Sequence, residues 1–392
     1  MRFLHTSDWH LGRQFHGASL LEEQAAALDR IVALAEEAEV DAVLIAGDIY
    51  DRAIPPAEAV QLFTSTLARL RGSGAAVVAI AGNHDSHVRV SVYDPLLSAL
   101  GVTIRGDVNR SREPVLVNPR RGGSPVAIYP LPYLDPFVDG PLLGGDSADT
   151  SLKLRHEDVT RLALARIRDD LRSRSGHRSL VVAHTFVAGG EGCESERELT
   201  VGNVERVSVD SFAGFDAVAL GHLHRSQQLD GPRLAYSGSP LAYSFSEQQQ
   251  RKSVRIVELR EGDQPGVEIV PLDVGRRLCT LEGCLEDLCR DPRYEVAVDA
   301  RVRIVLTDET LPLQAMARLR ARFPHVAELR HRPPEAPDRS SAPERSRCVR
   351  EAVSPFDLAS AFFADQQGRA IGADEAGLLR DALSAALRQG ER

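Results

Sequence analysis

The chain has 392 residues, of which 43% are hydrophobic, and a formal net charge of -9. That is enough apolar material for more than one core, and the acidic balance excludes a protein that coats nucleic acid through a broad basic field, so any DNA contact must be local. Five cysteines (Cys193, Cys279, Cys284, Cys289 and Cys348), odd in number and without a CxxC pair, exclude a disulfide framework and a thiolate zinc site. The opening MRFLHTSDWH interrupts its apolar run with His5 and Asp8 rather than building a signal-peptide core. No later run approaches bilayer length, so the expectation is a cytoplasmic chain without membrane association.

Through the first half, short apolar runs alternate with helical periodicity, the pattern of α/β architecture. RFLHT (residues 2 to 6), AVLIA (42 to 46), AVVAIA (76 to 81), VAIYPL (126 to 131), SLVVA (179 to 183) and DAVAL (216 to 220) read as strands buried on both faces. Ser19 and Glu22 are placed to form a capping box opening a helix through about Glu37, with Leu21, Leu28, Ile31 and Ala35 on one side. A second helix is expected from Pro56 to Leu70. Beyond His224, RLAYSGSP, SVRIVEL and GVEIVPLDV are β-rich and are expected to complete a second sheet packed on the first domain. These elements define a domain over residues 1–274.

A smaller α+β unit is expected over 275–330, with VRIVLTD as strand and LPLQAMARLRARF as helix. Residues 331–350 open with HRPPEAPDRSSAPERSR, prolines among charges and serines, which suits an extended linker. Two amphipathic helices are expected within 351–392. Ser354 caps the first, with Pro355 at its first position and Phe356, Ala359 and Phe363 on one side. The second runs from Asp374, with Leu379, Leu383 and Leu387 at i, i+4 spacing. Such short helices are marginal alone in water, so they either dock on a partner or fold back on the chain's own core.

Five of the strand-like runs lead directly to potential metal ligands: RFLHT to Asp8 and His10, AVLIAG to Asp48, AVVAIAG to Asn83, His84 and Asp85, SLVVA to His184, and DAVALG to His222 and His224. In an open α/β sheet the carboxyl ends of the strands share one edge, so these side chains are expected to converge on one crevice. A single histidine after a strand is usually a hydrogen-bonded loop residue. The ordered series DxH, GD, GNHD, a solitary His and GHxH is far more specific.

On the motifs HTSDWHLG, GDIYDRAIPP, AGNHDS, VAHT and GHLH, followed by YSGSPLAYSF, the chain resembles the calcineurin-like metallophosphoesterase superfamily, and within it the SbcD-like nucleases of double-strand-break repair. The implied fold is α/β: a calcineurin-like β-sandwich flanked by helices, with a small α+β capping domain and a C-terminal helical tail. The resemblance implies one metal held by Asp8, His10, Asp48 and His224, and another held by Asp48, Asn83, His184 and His222. A bridging carboxylate suits two cations about 3.5 to 4 Å apart, the spacing that grips an in-line phosphoryl displacement. Imidazole, carboxylate and amide donors without thiolate favour Mn²⁺, with Fe²⁺, Zn²⁺ or Mg²⁺ open. Four positive charges against the two of Asp8 and Asp48 would leave the site near +2, enough to draw in a phosphodiester and acidify a bridging water.

By the same resemblance His84 is the catalytic residue facing the scissile phosphate, stabilising the transition state or protonating the leaving group. Asp85 would orient His84 or a ligand, and His87 reads as an ordinary helix-start residue. Asp51 stands where archaeal and eukaryotic relatives often carry a histidine, leaving a second catalytic imidazole open. Arg13, His16 and Arg52 lie in loops just after ligands, within reach of phosphates, or are ordinary surface residues. Gly238, Ser239 and Pro240 shape the cleft floor or make a tight turn.

The implied activity is a Mn²⁺-dependent double-strand 3'-5' exonuclease and single-strand or hairpin endonuclease, associated with the nucleoid when on DNA. The implied partners are an SbcC-like ABC/SMC-type ATPase, bound through the C-terminal helices, and a second copy of the chain, giving a homodimer within a heterotetramer. QLFTSTLARL after Pro56 and VYDPLLSAL after His87 would serve that dimer, or equally the core. The same ligands also suit a metallophosphoesterase for nucleotides or small phosphodiesters. A non-catalytic scaffold is disfavoured because every ligand position is filled.

Overall fold

The computed structural model describes residues 1–144, 154–174, 176–196, 206–260, 262, 264–334, 355–367 and 369–390. They divide into two compact units, residues 1–279 with 299–302, and residues 280–298 with 303–392.

The first unit holds β1 (Arg2–Thr6), β2 (Gln14–Phe15), β3 (Ala18–Ser19), β4 (Ala42–Ile45), β5 (Ala76–Ile80), β6 (Val102–Arg105), β7 (Val115–Val117), β8 (Val126–Leu131), β9 (Arg178–His184), β10 (Ala217–Gly221), β11 (Gln227–Asp230), β12 (Leu234–Tyr236), β13 (Ser253–Glu258) and β14 (Gly266–Pro271). Apart from the β2–β3 ribbon, they build two six-stranded sheets, ordered β14-β13-β1-β4-β5-β6 and β11-β12-β10-β9-β8-β7. The six runs read as strands all form strands. Because side chains alternate across a strand, each run serves two cores. Leu44, Val78 and Phe3 of one sheet meet Ile128, Leu180, Val182 and Ala219 of the other in the sandwich interior. Val43, Ile45, Val77 and Leu4 point the opposite way, into the core shared with α1 (Leu21–Glu37) and α2 (Ala57–Gly72). Three shorter helices follow, α3 (His87–Ser91), α4 (Asp94–Leu97) and α5 (Gly140–Gly144). On the other outer face, Tyr129, Val181 and Val218 pack with Val159, Ala163 and Ile167 of α6 (His156–Arg172). The result is the expected β-sandwich flanked by helices.

Two local expectations are corrected. Of the three runs after His224 only RLAYSGSP completes the second sheet, β12 pairing parallel with β10; β13 pairs antiparallel with β1 and β14 with β13, extending the first sheet. Ser19 does not cap α1. It pairs with Gln14 in the β2–β3 ribbon, its Oγ accepts only from Leu21 N at 3.2 Å, and Leu20 takes the cap position without a side-chain bond.

The second unit centres on β16 (Arg301–Leu306), flanked by β15 (Leu278–Gly283) and β17 (Val326–His331). α7 (Leu285–Arg290) and α8 (Ala315–Arg322) belong with it, and Leu285, Leu288, Ile304, Leu306, Leu319 and Phe323 are buried. α8 starts later than LPLQAMARLRARF suggests, because Gln314 adopts a left-handed conformation at its N-cap. Two further helices span Pro355–Gln367 and Ala373–Gly390. Arg380 of the second lies 4.6 Å over the Phe356 ring of the first, and Arg369, which precedes the second helix, lies 5.2 Å over Phe363. Ser354, the expected cap, and residues 335–350 of the expected linker lie outside the described residues. No helix among the described residues is long and apolar enough to cross a membrane.

Candidate metal centre

Asp8 and His10 follow β1, Asp48 follows β4, Asn83 and His84 follow β5, His184 ends β9, and His222 and His224 follow β10. β1, β4 and β5 are parallel neighbours in the first sheet, β9 and β10 in the second. The loops therefore converge from two sheet edges rather than from the single edge expected. The meeting is close: a Cβ on Gly221 would lie 1.8 Å from the Ala46 carbonyl oxygen, and one on Gly82 2.1 Å from Asp48 Oδ1. Only glycine permits that approach.

Backbone conformation turns the candidate ligands inward. Asp8, His10, Asp48 and His222 have φ of 55°, 44°, 47° and 112°, values rare outside glycine and characteristic of functional loops. Backbone bonds hold the turns, Asp8 N donating to Gly47 O at 3.0 Å and His10 N to Asp48 O at 2.9 Å.

All seven expected ligands come together. His10 Nε2 lies 3.0 Å from His224 Nε2 and 3.6 Å from Asp48 Oδ2. His184 Nε2 lies 3.5 Å from Asp48 Oδ2 and 2.9 Å from Asn83 Oδ1, which in turn is 3.1 Å from His222 Nδ1. Asp8, His10 and His224 form one cluster within ligand reach, and Asp8, Asp48 and His184 another. These contacts fit cations. Nδ1 of His184 is bonded to the Ala46 carbonyl at 2.8 Å, so in the neutral ring Nε2 carries a lone pair aimed at the lone pairs of Asn83 Oδ1. Such a pair is repulsive unless a proton or cation lies between.

The weaker candidates take different places. Asp85 accepts from Gly82 N at 2.9 Å, Ile49 N at 3.0 Å and Tyr50 N at 2.9 Å. It fastens the loop carrying Asp48 to the loop carrying Asn83, acting on the ligand loops rather than on the His84 ring. His84 N donates to Asp48 Oδ1, and its Nδ1 to the Asp51 carbonyl, both at 2.9 Å; its ring stands edge-on to His10 at 4.7 Å. The Asp51 carboxylate lies 3.7 Å from His10 Nδ1 and 3.4 Å from Arg13. Arg13 is committed to structure, donating to Ser195 O at 2.9 Å and lying 4.9 Å over Tyr243. Arg52 is exposed and 3.9 Å from Asp51, and the His16 ring rests against Phe15 and Phe245. His87 opens α3, capped by Ser86. Gly238 and Ser239 back onto His224, whose carbonyl accepts from Ser239 N at 3.1 Å.

Sequence inspection missed the residues behind the ligands. Ser7 donates to Asp8 Oδ2 at 2.5 Å, Gln24 donates to the His10 carbonyl at 2.7 Å, and Glu196 accepts from His224 N at 2.7 Å. Only Ser7 carried a signal, as the residue preceding a ligand within HTSDWH.

Burial sets the electrostatics. Desolvation pushes the Asp8 carboxyl up to about 8, with Asp48 adding to the rise. Burial opposes the charging of His184, yet Asp48 and Asp8 outweigh it and lift that imidazole to about 9. The same burial raises Asp48, but His184 and His10 overcome it and hold the carboxyl well below its usual range. Desolvation takes His222 down to about 3 and keeps His10 and His224 neutral. A cation entering this site must displace the protons of Asp8 and His184. Divalent-ion affinity should therefore climb from pH 6 to pH 9, about tenfold per pH unit for each proton displaced. Calorimetric titration in buffers of different ionisation heat checks this; an affinity flat across that range would contradict it.

The model of the calcineurin-like phosphoesterase family matches residues 1–226. The SbcD subunit of the nuclease SbcCD from Bacillus subtilis (strain 168) is 34% identical over 387 residues, covering 96% of this chain and 95% of that protein. The protein of the same name from Staphylococcus saprophyticus is 34% identical over 297 residues, 74% of each chain. Among solved structures, a dimetal phosphatase from Danio rerio aligns at 12% identity with a TM-score of 0.43, over 69% of this chain and 96% of that one. The matched motifs lie on the loops that build the cleft, and the chain belongs to the calcineurin-like phosphoesterase family, in the group of the SbcD subunits of SbcCD nucleases.

Proposed function

We propose that this chain is the phosphodiesterase of an SbcCD-type complex, a nuclease using two Mn²⁺ ions to trim duplex ends in the 3'-5' direction and to cut hairpins and single strands. One observation carries the reading: Asp48 Oδ2 lies 3.6 Å from His10 Nε2 and 3.5 Å from His184 Nε2, between two donor sets. Asp8, His10 and His224 would hold one ion with Asp48, and Asn83, His184 and His222 the other. Oxygen and imidazole donors without thiolate favour Mn²⁺. When bound, such cations polarise the phosphoryl group and acidify water. The cleft also explains how an acidic chain draws in a polyanion at a single point.

His84 is the one imidazole of the cluster assigned to substrate rather than metal. Its Nδ1 is spent donating to the Asp51 carbonyl, which fixes the ring and leaves Nε2 to meet the phosphodiester; with a second proton on Nε2 the ring would donate to a phosphoryl oxygen or to the departing sugar oxygen. His84→Ala should keep its metal and lose cleavage by about 10² to 10⁴-fold, measured with Mn²⁺ on labelled linear duplex and hairpin. Unimpaired cleavage would remove the assignment, and a wild-type chain that hydrolyses only a small chromogenic phosphodiester would move the substrate to small esters.

Partners follow from exposed apolar surface. Phe362 and Leu378 on the two C-terminal helices are exposed, which supports docking of an SbcC-like ATPase there. The unit over 275–330 serves as capping domain in this reading. Val92, Tyr93, Leu96 and Leu100, after His87, are exposed as well, whereas Phe63, Leu67 and Leu70 of α2 are buried; the former segment is the better dimer surface. Truncation after Arg347 should leave metal-dependent cleavage and a dimeric sedimentation mass while abolishing ATPase binding. Undiminished ATPase binding would reject the docking assignment, and a monomeric mass the dimer.

A further inference from the structure

Behind the metal face of His224 lies a polar chain that none of the recognised motifs contains. His224 Nδ1 is 2.7 Å from Ser195 Oγ, and Ser195 Oγ is 2.6 Å from Glu247 Oε1. Ser195 is 7% exposed and Glu247 fully buried. The Glu247 carboxylate is saturated with donors: Tyr243 N at 3.0 Å, Ser244 Oγ at 3.0 Å and Lys252 Nζ at 2.5 Å. Lys252 also donates to the His224 carbonyl at 2.8 Å and to Ser239 Oγ at 3.0 Å.

Proton counting gives this chain a direction. Ionised Glu247, paired with a lysine, can only accept. Ser195 has one hydroxyl proton and must give it to Glu247. His224 Nδ1 must then donate to Ser195 Oγ, which leaves the lone pair of a neutral ring on Nε2, the atom 3.0 Å from His10 Nε2. We infer that Ser195 is a positioning residue for the metal centre, relaying the Glu247 carboxylate to His224 Nδ1 and locking His224 in the tautomer that offers Nε2 to a cation. The inference rests on the reading of His224 as a metal ligand. A carboxylate behind a ligating imidazole is a recurring device that orients the ring and raises its basicity; here a serine hydroxyl is interposed.

The test uses the full chain, stripped of metal and titrated with Mn²⁺ by calorimetry, with imidazole tautomers read by ¹⁵N NMR after chelation. Ser195→Ala should weaken one of the two Mn²⁺ sites by about 10 to 100-fold, sparing the other, and His224 should populate both tautomers. Ser195→Thr should restore affinity and the single Nδ1–H tautomer. Should Ser195→Ala fail to fold, Glu247→Gln serves in its place, expected to show the same one-site loss. Wild-type His224 carrying its proton on Nε2, or a Ser195→Ala protein that binds Mn²⁺ as the wild type does, would overturn the inference. So would a loss shared equally by both sites and not restored by threonine. His224→Ala separates the two ideas: if it binds both ions normally, the ligand assignment itself fails, whereas loss of a site there with none in Ser195→Ala removes only the relay.

Discussion

One carboxylate shared between two sets of imidazoles is the constraint on which the rest of the structure depends. Asp48 is 2% exposed and Asp8 wholly buried, and taking such charges out of water costs several kcal/mol each unless something opposite in sign answers them. Protonated His184 answers in part. The remaining imidazoles are held neutral by burial, so each keeps one ring nitrogen with a free lone pair. A site made of inward-facing lone pairs around buried carboxylates is stable only when something positive fills it, and that is the physical content of a metal centre.

Building such a site requires the chain to adopt backbone it would otherwise avoid. Four candidate ligands carry positive φ, at a cost of about 1 to 3 kcal/mol each, and the two sheets must approach until Gly221 touches the Ala46 carbonyl. The sandwich offsets these costs. Its strands bury apolar side chains on both faces, against the opposite sheet and against α1, α2 and α6, and the strained loops hang from that rigid frame. Asp85, bonded to three backbone amides, ties two of those loops together, so it acts on the backbone that presents Asp48 and Asn83.

Period and punctuation made the frame legible in the sequence: each apolar run is short, β-rich and followed by glycine or a polar turn, and each becomes a strand. The cluster of candidate ligands was legible because its members occur as compact motifs immediately after those strands. Which sheet a strand joins was not, since β13 and β14 reach the first sheet through a pairing of β13 with β1 more than two hundred residues away. Ser19 and Glu22 had the spacing of a capping box, but the β2–β3 ribbon claimed Ser19 first. Ser195, Glu247 and Lys252 were invisible for a different reason: they stand outside the ligand motifs, Ser195 some fifty residues before Glu247, and only folding brings them behind His224. Arg13 looked like a phosphate contact by its position after a ligand and is instead occupied by Asp51, Ser195 and Tyr243.

Whether Asp48 bridges two cations can be read from anomalous diffraction at the manganese edge, using crystals of the full chain grown with Mn²⁺. Two peaks about 3.5 to 4 Å apart are expected, both within bonding distance of the Asp48 carboxylate, one beside His10 and His224 and the other beside His184 and His222. A single peak, or two that do not share Asp48, would contradict the bridging role.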